Sequence, residues 1–307
     1  MSRLGRAAPP PWWAYAALAA SMALVGSYVG LSRTLVAVFP VLLLAWLRFG
    51  IAAVAMLHWL PRAPGEAPLS RHDRVLLFWE SFLGNFLFSI CMLYGVKLTS
   101  ALAASITMAA IPAAVALLSW AFLRERIGRA QLAGIGCAVA GIALLALAGH
   151  GDAAGGGGSL LGQALLLAAV FCEASYVVIG KRLTGSVSPK RISAIVNLWG
   201  LALVTPFGLW QALSFDFAGV TPPLWTLLLF YSIAASMVTV WLWMTGLRHV
   251  PAASAGVFTV MLPVGAAAVG VLVLGEPAGW LHGAAFALAL AGVVLATRSG
   301  AAASVHP

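Results

Sequence analysis

The chain has 307 residues, of which 62% are hydrophobic and 8% charged, with a net charge of +9 and a mean hydropathy of +1.01. A soluble domain carries about 25% charged residues, so this composition excludes a water-soluble enzyme and a disordered or collagen-like chain. It describes a polytopic α-helical membrane protein, with room for about ten spans of roughly 20 residues each.

Apolar runs between polar breaks predict spans at 12–32, 37–60, 75–96, 100–123 and 130–148, then 159–180, 192–213, 223–246, 252–274 and 279–297. The first is of full span length with nine more behind it, and reads as a retained helix rather than a cleaved signal. Four glycines at 155–158 form a flexible linker. No Lys-Ser or Lys-Thr follows them, as a phosphate loop requires. The chain divides there into 1–150 and 151–307, five spans each. Cys91, Cys137 and Cys172 fall within apolar runs without paired spacing, so they read as packing residues, with neither a disulfide framework nor a metal site.

With the N-terminus in the cytoplasm, fourteen of the 17 Lys and Arg residues fall on the inner side. They are Arg3, Arg6, Arg62, Arg71, Arg74, Arg124, Arg126, Arg129, Lys181, Arg182, Lys190, Arg191, Arg248 and Arg298. The outer loops hold Arg33 and Lys97, and Arg48 lies within a span. Basic residues collect in cytoplasmic loops, so this asymmetry supports ten spans with both termini cytoplasmic; the Ala/Gly-rich composition and minimal loops point by analogy to a bacterial cell inner membrane. The asymmetry accounts for the basic charge without nucleic acid.

At a fixed offset of 151, residues 95–144 align on 246–295 without a gap: Gly95 with Gly246, Lys97 with Arg248, Ala101 with Ala252, Pro112 with Pro263, Glu125 with Glu276 and Gly141 with Gly292. Ser27-Tyr28 meets Ser175-Tyr176 at a slightly smaller offset. Five spans per half is an odd number, so the second copy starts on the opposite side of the membrane. The repeats are inverted, a recurrent device of secondary transporters.

The motif Pro112…Glu125-Arg126…Gly134, Gly136, Gly141 returns as Pro263…Glu276-Pro277…Gly283, Gly292. With the duplication and topology, it resembles the drug/metabolite transporter superfamily in its ten-helix EamA form, over essentially the whole chain. The resemblance implies a basket of ten helices around a central cavity. Helices one, three, four, six, eight and nine would line it, with the fifth and tenth peripheral. It implies transport of amino acids, nucleotide sugars, other metabolites or drugs, without a cofactor.

Charge at the bilayer centre costs about 2.5–3.5 kcal/mol even on the lenient insertion scale, so ionisable residues within spans are the first place to look. Glu173 lies mid-way along the sixth helix with Ala169, Val170, Tyr176 and Val177 as helical neighbours. Only the Tyr176 hydroxyl, one turn on, offers it a hydrogen bond there. A carboxyl group so placed can take a proton from one side and release it to the other; the structural alternative is a pair with an arginine. This helix is similar to the first helix of the small-multidrug-resistance transporters, where a glutamate precedes a lysine by eight positions, as Glu173 precedes Lys181. In that family the glutamate binds proton and cationic substrate in turn. The first half departs from the pattern, with Val25 aligned to Glu173.

Arg48, mid-span in the second helix among Leu44, Ala45, Ile51 and Ala52, reads as a snorkelling or structural arginine, with a pair to Glu173 as the alternative. Glu80, near the cytoplasmic end of the third helix, is expected either to serve the cavity or to reach water. Asn85 is deeper, and either lines the cavity or bonds a neighbouring helix. The cavity candidates by span are Tyr28, Glu80, Phe82, Asn85, Phe86, Tyr94, Trp241 and Phe258. Trp12, Trp13, Trp59, Trp225, Trp280 and Trp243 read as interfacial anchors. Pro112 and Pro263 are expected mid-helix, as kinks or hinges. Glu125 and Glu276 should brace the following helix. No HExxH or GxSxG occurs, and the membrane carboxylates are few, so an enzyme is not expected. The expectation is a proton-coupled exporter of an amino acid or amino-acid-derived zwitterion, monomeric or homodimeric. An uncoupled facilitator and a multidrug or organic-cation efflux transporter are the alternatives.

Overall fold

The computed structural model describes residues 10–36, 38–98, 110–125, 127–148 and 160–262, with isolated positions between 280 and 295. Among them every regular element is helical. Helix α1 is Trp12–Val36 and α2 is Val41–Ala55, followed by a 3-10 turn at Leu57–Trp59. Helix α3 covers 71–98 as Arg71–Ser81, a π-helical Phe82–Leu87, and Phe88–Leu98. Helix α4 is Ile111–Leu118 with a π turn at Ser119–Leu123, and α5 is Arg129–Ala148. Helix α6 is Leu160–Leu183 and α7 is Pro189–Ala212. Helix α8 covers 222–249 as Pro222–Ile233, a π-helical Ala234–Val238, and Thr239–His249. Helix α9 begins with Ala252–Val257 and a 3-10 turn at Phe258–Val260.

Local chemistry sets these boundaries. Ser70 and Asp73 form a reciprocal capping box at the start of α3, with Asp73 N–H donating to Ser70 Oγ at 3.0 Å and Ser70 N–H to Asp73 Oδ2 at 3.1 Å. Proline stands in the first turn of α7 and of α8, where its missing N–H has no partner to lose. Helix α2 is shorter than the 37–60 span expected: Pro40 stands at its N-cap, and beyond Ala55 the chain passes into the 3-10 turn Leu57–Trp59. Pro112 occupies the first turn of the described α4, so it is not mid-helix within that segment, and Pro263 lies outside the described residues.

Segments 71–92, 160–183, 189–212 and 222–249 are each long and apolar enough to cross a membrane; α1, α2, α4 and α5 contribute shorter apolar stretches. Helix α1 packs along α8, α6 along α3, α2 along α7, and α4 against α6 and α9. One end of the bundle gathers many termini. Trp13 meets His249 at 4.6 Å, Ser186 Oγ donates to Asp73 Oδ1 at 2.9 Å, and Arg182 Nη2 donates to the Phe122 carbonyl at 3.1 Å. There α1, α3, α7 and α9 begin while α2, α4, α6 and α8 finish. Arg191 also binds Glu66 there at 3.2 Å, joining the α6–α7 turn to the α2–α3 loop.

Adding 151 to the π segment of α3 gives 233–238, one residue from the π segment Ala234–Val238 of α8. The core that holds these helices together is built around Trp243, Phe258, Leu18, Leu77 and Leu183, each at most 1% exposed. Trp243 is therefore a core residue and not an interfacial anchor. Trp59 is buried too, whereas Trp12, Trp13, Trp225 and Trp280 stay at the surface.

Candidate functional site

Two polar regions lie inside the bundle, on either side of α3. The first is acidic. Glu80 is 0% exposed, and neither carboxylate oxygen has a hydrogen-bond partner among the described residues. It does not reach water, which corrects one of its sequence readings. Its carboxyl group lies against α6 because position 180 is glycine: a Cβ there would stand 2.8 Å from Glu80 Oε1, with Met244 and Leu247 of α8 closing the same spot. Glu173, two turns earlier on α6, lies within Coulombic reach of Glu80. It makes no ion pair with a described residue. Tyr176 packs against α3 at Gly84, so close that no side chain larger than hydrogen fits there without movement.

Lys181, eight positions after Glu173, does not turn back to it. Its Nζ donates to the carbonyls of Leu247 at 2.8 Å and Arg248 at 3.2 Å, the last carbonyls of α8. A cation at a helix C-terminus is favourable, so the Glu-Lys spacing in this chain ties α6 to α8.

The second region is centred on Arg48. A cavity of about 20 Å³ opens between α2, α3, α7 and α8, bordered by Arg48, Asn85, Ser193, Asn197 and Ser236. Asn197 Nδ2 donates to the Phe49 carbonyl at 2.9 Å, fixing α7 on α2. Arg48 Nε, Asn197 Oδ1 and Ser236 Oγ are buried without a hydrogen-bond partner among the described residues. The Arg48 guanidinium carbon is 4.4 Å from the centroid of the Phe49 ring and 5.9 Å from that of Tyr231. Arg48 pairs with no described carboxylate, Glu173 included. Asn85 and Ser236 both belong to π segments, which recur at functional positions in helices.

The aromatic candidates disperse. Phe82 and Phe86 lie tilted at 5.8 Å along the α7 side of α3, and Phe86 stacks on Phe207 at 6.3 Å. Tyr94 is 55% exposed on the outside of the bundle. Trp241 stands beside Trp59 at 6.1 Å, at the mouth of a cavity of about 550 Å³ whose cations are Arg62, Lys190 and Arg248. Phe258 is core, stacked on Tyr15 at 5.8 Å. The side chain of Tyr28 lies outside the described residues. Glu125 braces a helix, but one in the other half of the chain: its two oxygens accept from the Ala252 and Ala253 N–H groups at the start of α9, at 2.9 and 3.0 Å. What the sequence missed is the cluster of Arg48 with Ser193, Asn197 and Ser236. Its one visible signal was polar residues in the middle of apolar helices.

The family pattern of EamA-like transporters matches this chain twice, over residues 12–147 and 160–298. An uncharacterized transporter of Bacillus subtilis (strain 168), YetK, is 37% identical over 281 residues, covering 91% of this chain and 85% of that protein. A second uncharacterized transporter of that strain, YyaM, is 23% identical over 221 residues, 72% of each chain. A solved crystal structure superposes with a TM-score of 0.74 at 18% identity, over 93% of this chain and 97% of the other, and so shares the fold. Members of the matched family are transporters and not enzymes. The chain belongs to the EamA-like transporter family, a multi-pass membrane transporter in which an acidic and a basic polar region flank α3.

Proposed function

We propose that this transporter is a proton-coupled exporter of a small amphipathic metabolite, an amino acid or amino-acid-derived zwitterion, working through Glu173. The observation that carries the reading is the placement of Glu173 within Coulombic reach of the buried Glu80, with no ion pair to a described residue. A carboxylate held by arginine is silent. A free one can bind the ammonium group of a substrate, release it on taking a proton, and return the proton on the other side.

The inverted ten-helix arrangement is part of this reading. The double family match, the π segments 151 residues apart and the exchange of packing partners between halves all support it. So does the direction of the helices: α1 and α3 begin at the end of the bundle where α6 and α8 finish. The basic residues gathered at that end support a cytoplasmic face, with the bundle in a cell inner membrane.

The test is uptake by purified protein in proteoliposomes under an imposed pH gradient, with a metabolite panel read by mass spectrometry, for wild type and Glu173→Gln. The expected outcome is one zwitterion accumulating in the wild type and equilibrating without accumulation in the variant. Equal gradient-driven accumulation by both proteins would show coupling that bypasses Glu173, and equal movement that ignores the gradient in both would leave a facilitator.

A further inference from the structure

We infer that Arg48 is the anchor of a carboxylate-binding subsite between α2, α3, α7 and α8, which receives the acid group of the transported zwitterion. The inference rests on the substrate class proposed above and adds the half of the ligand that Glu173 cannot hold.

Three features of the cavity define its guest. The first is charge. Arg48 lies in the middle of α2, and none of the described carboxylates pairs with it; Glu66, paired with Arg191, is at the end of the bundle. Glu80 is held beside Gly180, Met244 and Leu247, against α6 and α8. An arginine always carries its proton, so the cavity holds a positive charge that no described carboxylate balances and that a guest anion would. The second is geometry. The rings of Phe49 and Tyr231 lie 4.4 and 5.9 Å from the guanidinium carbon. Rings over a guanidinium face leave its edge for acceptors in the plane, the arrangement in which arginine binds carboxylates. The buried Nε is unpartnered, and the buried Ser236 Oγ, also unpartnered, offers a hydroxyl donor beside it.

The third feature is size. About 20 Å³ exceeds the roughly 10–15 Å³ that one water-sized group needs, but falls far short of a whole metabolite. It fits the head of a carboxylate. The rest of the ligand must lie beyond it. Asn85 borders the Arg48 cavity while the adjoining Gly84 faces Tyr176, one turn from Glu173. A single π segment thus separates the cationic cavity from the acidic region.

The test is thermal unfolding of the purified full-length protein in detergent at constant ionic strength, titrated with sodium acetate, sodium chloride or acetamide. Acetate should raise the Tm saturably, with chloride and acetamide giving no saturable rise. Arg48→Gln should abolish the acetate response. Ser236→Ala, a change small enough to leave the fold intact, should weaken it by about tenfold, as expected for one hydrogen bond to a charged group. Glu173→Gln should retain it in full, which separates this inference from proton coupling: loss of one leaves the other standing. Equal responses to acetate and chloride would make this a small-ion site, and a response to acetamide or an unchanged one in both Arg48→Gln and Ser236→Ala would place binding elsewhere. Each of these overturns the subsite.

Discussion

Helices α3 and α8 occupy corresponding places and differ in what they carry. Each has a π segment at the same point of the repeat, and each lies along the first helix of the opposite half, α3 along α6 and α8 along α1. At the offset of 151, however, Glu80 corresponds to Tyr231, Gly84 to Ala235 and Asn85 to Ser236. On the partner helices, Glu173 of α6 corresponds to Val25 of α1. The backbone frame is doubled and the charge is not. Under the proposed function, a doubled frame rocks between two equivalent shapes while a proton needs only one carrier, so the acid can reside in one half alone.

Moving the acid to the other half breaks this comparison most severely. In the double variant Val25→Glu/Glu173→Gln, gradient-driven accumulation should fall to the level of empty liposomes, as in Glu173→Gln alone. Val25 packs against the core around Leu18 and Trp243, and the residue corresponding to Glu80 in the second half is Tyr231. Proteoliposome uptake under a pH gradient measures it, and recovery of accumulation would show the two halves to be interchangeable.

The contrast between Gly84 and Ala235 gives the next largest effect. Gly84→Ala drives a methyl group into Tyr176, and overpacking of this kind costs about 1–3 kcal/mol. Ala235→Gly removes a methyl at the corresponding place and costs about 1 kcal/mol through helix propensity. Thermal unfolding in detergent should rank the two in that order. The reverse order would mean that α3 can draw back from α6 without penalty.

The same π segments explain which parts of the site the sequence disclosed. Length, apolar runs, basic asymmetry and the 151-residue offset all depend on local composition or self-comparison, and they led to the helices, the family and Glu173. Facing did not follow. Tyr94 is a cavity candidate by its span alone, and by α-helical spacing it should lie roughly 40° from Glu80 around the helix axis. The extra residue taken up by Phe82–Leu87 turns it by roughly another 100°, and Tyr94 is found 55% exposed on the outside. Nor could spacing reveal the Arg48 cavity, because Asn197, Ser193 and Ser236 reach it from helices more than a hundred residues away in sequence.

The corresponding loops of the two halves differ as well. The α2–α3 loop is tied across the bundle: Glu66 binds Arg191 at 3.2 Å and accepts from the Ser188 N–H at 3.4 Å and the Ala63 N–H at 3.2 Å. The α7–α8 loop is held by aromatic packing instead: Phe215 stacks on Phe39 at 5.3 Å, while Asp216 accepts from the Ala218 N–H at 2.9 Å. Burial alone would raise the Glu66 carboxyl, but the bonds from Ala63, Arg191 and Ser188 outweigh it and hold the group below the usual carboxylate range. Its stabilisation is therefore complete above that range and lost as pH falls through the lowered value. Glu66→Gln should cost about 1–2 kcal/mol at neutral pH. It should also flatten the fall in Tm on acidification below about pH 4.

The smallest effect comes from the ends of the motif helices. Helix α4 finishes its π turn on Arg124, whose backbone is left-handed at φ 56 and ψ 30. That conformation brings Cβ against the carbonyl oxygen and costs a non-glycine residue about 1 kcal/mol. The corresponding residue in the second half is Gly275, followed by Glu276 as Arg124 is followed by Glu125. The second copy of the motif thus carries the residue that the backbone of the first copy favours. The next side chain explains why the strained backbone persists: Glu125 must turn from α4 to meet the N–H groups of Ala252 and Ala253, and the left-handed residue makes that turn. Arg124→Gly keeps the turn and removes the strain, so it should raise stability by up to about 1 kcal/mol, read as a rise of a few degrees in the Tm, with transport unchanged. A fall in Tm would mean that the Arg124 side chain contributes more than its backbone costs.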